Sequence, residues 1–396
     1  MSGKPAIEGG DPVRDEVLGY GGQDITDREK EAVTEVLDGD YITRGPTVEA
    51  FEKEVAEYVG AEYGIAVTSG TAALHLLGEA LFDEGDEVIT TPLTFVSTAN
   101  TACYADADPV FADIKQETRN LDPDAARDVI TEDTKGILPV HYAGQPCDID
   151  SFLEIADEYN LRVIWDACHA IGSEWNGEMI GSQRDAAIFS FHPVKTITTG
   201  EGGMVVTNDD EIAAEVQKLR SFRMNYSPDG HSDEPWYQVV EGVGYNYNFS
   251  DIQAAIGRVQ LDRIDEFKTR RDEIFERYQE AFEDLEGLST PSVKESSDPA
   301  WHLYVVEIEE EFGCSRKEFV NAMHAENIGV QVHYVPLHHH PYFQEGYGYE
   351  KGDFPIADAT YERIVSLPLF PAMSDQDVED VIQATKRLHR YKQDCD

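Results

Sequence analysis

Three short stretches hold residue types capable of covalent or acid–base chemistry, and each lies where an apolar run gives way to a turn. Ser69-Gly70-Thr71-Ala72 separates the apolar run 64–68 from the amphipathic stretch 72–82. A helix start of this kind presents unpaired backbone N–H groups and the positive end of a dipole, which suits a phosphate, and glycine lets a ligand approach the backbone. The same four residues also make an ordinary strand-to-helix turn. Asp166 ends the hydrophobic run Val163-Ile164-Trp165. A carboxylate there needs a protonated ring nitrogen, a basic side chain or a helix start as its partner. His169, three residues on, belongs either to the same site or to the core. The third stretch is Ser190-Phe191-His192-Pro193-Val194-Lys195, followed by a segment containing Gly200, Gly202 and Gly203. A desolvated lysine has a lowered pKa and forms Schiff bases with carbonyl compounds. An exposed lysine is the ordinary alternative, but Phe191, Val194 and Ile197 are apolar and Lys is scarce in this chain.

An anion site, a strand-end acid and a strand-end amine, in that order, are the parts that pyridoxal 5'-phosphate requires. Its phosphate needs a helix N-terminus, its ring nitrogen a carboxylate to keep it protonated, and its aldehyde an amine.

The elements that must position these groups alternate. Residues 27–37 read as a helix with Thr26 as N-cap and Glu29 as its capping-box partner. Residues 47–59 read as a second helix with Val48, Phe51, Val55 and Val59 on one face. Buried strands are expected at 64–68, 87–90, 109–112, 136–140, 162–166, 186–191 and 203–207, with helices at 72–82, 96–104 and 151–159. Short apolar strands alternating with helices mean an α/β fold with a mainly parallel sheet, whose ligands sit at the carboxyl ends of the strands. The division expected is residues 1–250 as the large domain and 251–396 as an interdomain helix with a smaller α/β domain. In the second part, 251–285 reads as largely helical, 286–300 as a linker, 301–308 and 329–333 as strands, and 315–325 and 375–388 as helices.

Composition bounds the partners. The 396 residues carry 78 Asp+Glu against 31 Lys+Arg, a formal charge of −47. The absence of basic clusters opposes nucleic-acid and anionic-membrane binding. With 41% hydrophobic residues the chain is not a disordered acidic tail. Dispersed carboxylates suit molar salt, where the Debye length is about 3 Å and surface self-repulsion is screened. No long apolar run predicts a membrane span, residues 1–10 hold no signal-peptide core, and five scattered cysteines without a CxxC pair point to a reducing cytoplasm.

The sequence resembles the DegT/DnrJ/EryC1/StrS family of sugar aminotransferases, which have the type I fold of pyridoxal-phosphate enzymes. The likeness is carried by Ser69-Gly70-Thr71-Ala72-Ala73-Leu74, Thr94-Phe95-Val96-Ser97-Thr98-Ala99-Asn100, Asp166-Ala167-Cys168-His169, 190–195 and Gly244-Tyr245-Asn246-Tyr247. The resemblance implies that Lys195 holds the cofactor and shuttles the proton, and that Asp166 pairs with the ring nitrogen. It further implies that His169 bonds the ring hydroxyl, Phe95 stacks on the ring, and Gly70, Thr71, Ala72 and Ser190 hold the phosphate. Asn246 would reach the cofactor phosphate of a neighbouring subunit, which makes a homodimer the active unit. The family usually has Arg two residues after that Asn, and here the position is Asn248, which puts the amino-donor contact in doubt; Arg220 or Arg223 would be the substitutes. Residues 190–207 and 329–336 look most like UDP-4-amino-4,6-dideoxy-N-acetyl-β-L-altrosamine transaminases, which use glutamate to aminate C4 of a UDP-4-keto-6-deoxy-N-acetylhexosamine on the way to pseudaminic acid. By that likeness Tyr20, Asp40, Tyr41, Ile42, Thr43, His333, Tyr334, Val335 and Pro336 line the sugar-nucleotide site. GDP- and dTDP-linked keto sugars are the alternative substrates, and a non-catalytic sensor on the same fold is the reading from another class. No metal is expected. His338-His339-His340 are consecutive, and no paired carboxylate or cysteine motif supports them.

Overall fold

The computed structural model describes residues 3–225 and 236–394. Cys395 lies outside the described residues.

Seven strands form the main sheet: β1 (Tyr63–Val67), β2 (Glu87–Thr90), β3 (Asp108–Phe111), β4 (Thr134–Leu138), β5 (Arg162–Asp166), β6 (Ala186–Ser190) and β7 (Gly203–Thr207). Their spatial order is β1-β7-β6-β5-β4-β2-β3. β3, β2, β4, β5 and β6 are mutually parallel. β7 runs against both β6 and β1, so β1 points the same way as β6. Alternate side chains of the central strands enter separate cores. Val163 and Trp165 of β5 join Phe189 of β6 on one face, against Phe51, Phe152 and Phe267. Ile164 and Ile188 join Val205 on the other, against Leu74 and Leu77. Burial on both faces is why these strands read as continuous apolar runs.

The helices in chain order are α1 (Asp27–Leu37), α2 (Pro46–Val59), α3 (Gly70–Leu81), α4 (Val96–Tyr104), α5 (Pro123–Asp128), α6 (Ile149–Tyr159), α7 (Asp210–Arg220), α8 (Asp251–Asp262), α9 (Ile264–Phe282), α10 (Arg316–Ala325), α11 (Pro341–Tyr347), α12 (Pro355–Tyr361) and α13 (Asp375–Gln393). The capping box of α1 forms as expected: Thr26 N–H donates to Glu29 at 2.7 Å. The expected single helix over 251–285 breaks at Arg263, whose guanidinium turns inward to Glu29 at 3.1 Å and Asp24 at 2.7 Å.

α9 begins in the first core with Ile264 and Phe267 and ends in a second with Ile274, Phe275, Tyr278 and Phe282. That second core packs on an antiparallel sheet of β8 (Leu288–Ser289), β9 (Tyr304–Ile308) and β10 (Ile364–Leu367). Residues 329–333 do not form the expected strand; they make one bridge, Gln331 to Ser366. Ser366 is a polar residue inside β10, which hid that strand from its pattern. The N-terminal segment packs on this part of the chain: Leu18 N–H donates to Asn327 O at 2.9 Å and Val13 N–H to Glu326 at 2.9 Å.

Arg271 on α9 is fully buried. Its Nη1 donates to the carbonyls of Trp301 (3.1 Å), His302 (3.3 Å) and Leu369 (2.9 Å). Burial pushes this guanidinium down to about 10.

Candidate active site

Because β1, β5 and β6 share one direction, their carboxyl ends meet at one edge. Asp166 and Ser190 are the last residues of β5 and β6, and Ser69 follows β1 as the cap of α3. Lys195 lies in the turn after β6, held by its N–H to His192 O at 2.9 Å. A cavity of about 370 Å³ opens between them. Of the expected site residues, Tyr20, Gly70, Thr71, Phe95, Asp166, His169, Ser190, Lys195, His333 and Tyr334 line it.

Asp166 is 4% exposed and anchored on both oxygens: Thr98 Oγ1 donates to Oδ2 at 2.8 Å and Cys168 N–H to Oδ1 at 3.1 Å. Thr98 is in turn bonded to Thr94, one helical turn earlier, at 2.8 Å. Among the described residues no salt bridge or helix start takes this carboxylate. Lys195 also forms no ion pair among the described residues, and burial lowers its pKa against the opposing pull of Cys168 and Asp166. Burial also holds the imidazoles of His169 and His302 well below their ordinary range, and that of His333 at about 4. The cavity is therefore walled by neutral imidazoles. His169 Nδ1 accepts from Ala143 N–H at 3.3 Å, which leaves Nε2 carrying the hydrogen, 3.3 Å from the Tyr334 hydroxyl.

At the anion site the amides of Gly70 and Thr71 belong to the first turn of α3, where N–H groups have no partner in the helix. Ala72 sits one step behind, its N–H accepted by Ser69 Oγ at 3.0 Å. A Cβ on Gly70 would lie 3.0 Å from Ser190 Cβ and 3.1 Å from Cys168 Sγ, so glycine is what lets β6 and α3 close around the anion position. Phe95 stands at the mouth, 54% exposed, with its ring 6.2 Å from that of Tyr334.

The remaining expected residues lie elsewhere in the same chain. Asp40 and Tyr41 line a separate groove of about 840 Å³ beside α1, α2 and α8. Ile42 is exposed and its carbonyl accepts from Asp251 N–H at 3.1 Å, while Thr43 faces Phe249 O at 3.5 Å. Val335 and Pro336 follow Tyr334 but do not border the cavity. Asn246 is exposed and accepts from Asn248 Nδ2 at 2.9 Å. Asn248 also accepts from Ser221 Oγ at 2.7 Å. Arg220 and Arg223 form ion pairs with Glu52 and Glu215.

Two contributors escaped the sequence reading. His302 lines the cavity with its ring 4.4 Å from His169, and only long-range packing brings it there from the start of β9. The anchoring of Asp166 by Thr98 had a local signal, the Thr94–Thr98 spacing at the start of α4. Outside the cavity, the fold sets Asp358 against His338 and His339.

The donor set fits pyridoxal phosphate: two free amides and a hydroxyl for the phosphate, an anchored carboxylate for the ring nitrogen, and an unpaired, desolvated amine for the aldehyde.

Residues 23–386 match the DegT/DnrJ/EryC1/StrS aminotransferase family. The chain is 46% identical to the spore coat polysaccharide biosynthesis protein SpsC of Bacillus subtilis, over 95% of this chain and 98% of that one. Among solved structures it is similar to Helicobacter pylori PseC, an aminotransferase involved in the biosynthesis of pseudoaminic acid, with TM-score 0.89 and 29% identity over 95% of this chain and all of that one. A putative sugar aminotransferase of Streptococcus pneumoniae, solved in a PLP form, superposes with TM-score 0.87 and 28% identity over 95% of this chain and 99% of that one.

Proposed function

The chain belongs to the DegT/DnrJ/EryC1/StrS aminotransferase family, and from that premise we propose that it moves an amino group from glutamate to C4 of a UDP-4-keto-6-deoxy-N-acetylhexosamine, for a surface glycan or a nonulosonic acid such as pseudaminic acid. The observation that carries this reading is the single cavity holding Lys195, Asp166 and His169 beside Tyr20, His333 and Tyr334. Pyridoxal phosphate, when bound, supplies the electron sink that lets an amino group leave one carbon and join another.

The chain's own residues do the rest. The Asp166 carboxylate accepts the ring N–H and keeps that nitrogen protonated. The amine of Lys195 would take the proton from the donor carbon that bears the nitrogen and would deliver one to the acceptor carbon that receives it. His169 donates from Nε2 to the ring hydroxyl, because its Nδ1 is already occupied. Gly70 and Thr71 bind the phosphate through their amides and Ser190 through its hydroxyl, while Ala72 closes the capped turn behind them. Phe95 covers one face of the ring and excludes water. Tyr20, His333 and Tyr334 form the sugar-nucleotide side, and Val335 and Pro336 continue that segment outside the cavity. Asn246 and the loop Asp40-Tyr41-Ile42-Thr43, which lie outside their own cavity, complete that of a second copy. In this reading the active unit is a homodimer.

The second reading is amination of a GDP- or dTDP-linked keto sugar at C4 or C3; the relative at 46% identity is named for spore coat polysaccharide biosynthesis, and that name specifies no nucleotide. A panel of UDP-, GDP- and dTDP-keto sugars incubated with glutamate and read by mass spectrometry separates the two. A gain of one amino group on the UDP-linked sugar alone supports the first reading. Amination of the GDP- or dTDP-linked sugar alone replaces it with the second.

A further inference from the structure

A second group of ligand-type side chains lies outside the cavity. Residues Leu337–His339 form one turn of 3-10 helix, and Asp358 sits on α12. Nε2 of His338 and Nε2 of His339 both point at Asp358 Oδ1, at 2.9 and 2.5 Å. One ligand atom from each of the three residues falls within 4.8 Å of the others. Two imidazoles and one carboxylate are the donors that zinc and neighbouring divalent metals take.

The set is held in place by its surroundings. Asp358 Oδ2 accepts Gly352 N–H at 2.7 Å, which fixes the carboxylate. The ring of His338 packs on Phe354 at 4.9 Å and that of His339 on Tyr361 at 5.6 Å. Leu337 N–H donates to Pro92 O at 2.8 Å and His339 N–H to Pro336 O at 2.9 Å. His338 is fully enclosed, and its Nδ1 has no hydrogen-bond partner, so the protein alone leaves this side chain half satisfied. Two ring nitrogens crowd onto one carboxylate oxygen. Ligands around tetrahedral zinc stand about 3.3 Å apart, so opening both contacts by less than about 1 Å admits an ion.

We propose that His338, His339 and Asp358 bind one divalent transition-metal ion of the zinc class, with water completing the coordination, and that this ion ties the segment leaving His333-Tyr334 to α12. The expectation of no metal rested on the histidines being consecutive and on the lack of a paired carboxylate or cysteine motif; the fold brings a carboxylate from residue 358.

The test titrates ZnCl2 into the EDTA-stripped, cofactor-loaded protein by calorimetry, for the unmodified chain, His339→Ala and Asp358→Asn. One zinc per chain is expected, bound at least about tenfold more weakly in each variant, with a zinc-dependent rise in melting temperature that both variants lose. CoCl2 in place of zinc should give the visible bands of a four-coordinate site. His339 and Asp358 are partly exposed, and Asp358→Asn keeps a hydrogen-bond acceptor, so one variant remains if the other misfolds. No stoichiometric binding, or binding of equal affinity in a folded variant (which would place zinc at the cavity histidines), overturns the proposal.

Discussion

An amine works as a base only in its neutral form, and burial shifts Lys195 toward that form. The activity of the protein should therefore rise with pH through a midpoint below about 10.4, the ordinary value of a lysine. A midpoint at or above that value in a kcat–pH profile would show that desolvation does not act on this group. Lys195→Ala should lose the visible absorption of the bound cofactor and at least about 10³-fold in rate, since a general base alone contributes about 10²–10⁴-fold. Absorption spectra of purified protein check the first loss and single-turnover rates the second. Thr98 acts one step removed, by orienting Asp166. Thr98→Val should leave the carboxylate present but misaimed. Its signature is faster cofactor release on dialysis, restored by Thr98→Ser, which keeps the hydroxyl. Lys195, Asp166 and His302 differ in how openly the sequence declared them. Asp166 ends a strand and Lys195 follows one closely, where local pattern speaks, whereas the place of His302 in the cavity depends on packing between segments far apart in the chain.

Among the elements, α1 shows how a local signal acquires a global use. Its capping-box residue Glu29 is 1% exposed and also accepts from Gln260 at 2.7 Å and Arg263 at 3.1 Å. Burial pushes this carboxyl up, but the hydrogen bonds from Thr26 and Gln260 outweigh it and hold it at about 2. A folded-state value below the unfolded one means the charged form stabilises the fold. That stability is complete above about pH 4.5 and lost as pH falls toward 2. Glu29→Gln should cost about 3 kcal/mol at neutral pH and should flatten the acid limb of the stability curve, both measurable by urea unfolding. The capping box was readable from Thr26 and Glu29; the break at Arg263 was not, since the charged run 251–285 is helical on both sides of it. The strands of the large sheet were legible because burial on two faces leaves uninterrupted apolar runs. β10 was not, because buried Ser366 serves His333 Nδ1 at 2.8 Å and breaks the run.

For the whole molecule, the charge of −47 opposes its proposed substrates, since glutamate and a sugar diphosphate are anions too. If this surface is built for molar salt, melting temperature and activity should both climb between 0.1 M and 2 M KCl, as the Debye length shrinks from about 10 Å toward 3 Å and below. A fall over that range would assign the acidity to something else. The shared-site reading makes a second prediction at this scale. Lys195→Ala and Asn246→Ala proteins, inactive or weak alone, should regain activity when mixed and reassembled, because one of the two sites in each hybrid carries neither substitution. Failure of mixed chains that demonstrably exchange subunits would remove Asn246 from the partner site. Arg271 holds the carbonyls of Trp301, His302 and Leu369, and Leu369 N–H in turn donates to Tyr20 O at 3.2 Å. One guanidinium thus fixes two walls of the cavity, at His302 and Tyr20, at a set separation. A nucleotide sugar entering that slot should find it already shaped, so the heat-capacity change of binding should equal that expected from the apolar area buried between ligand and cavity, with no excess from ordering of the protein.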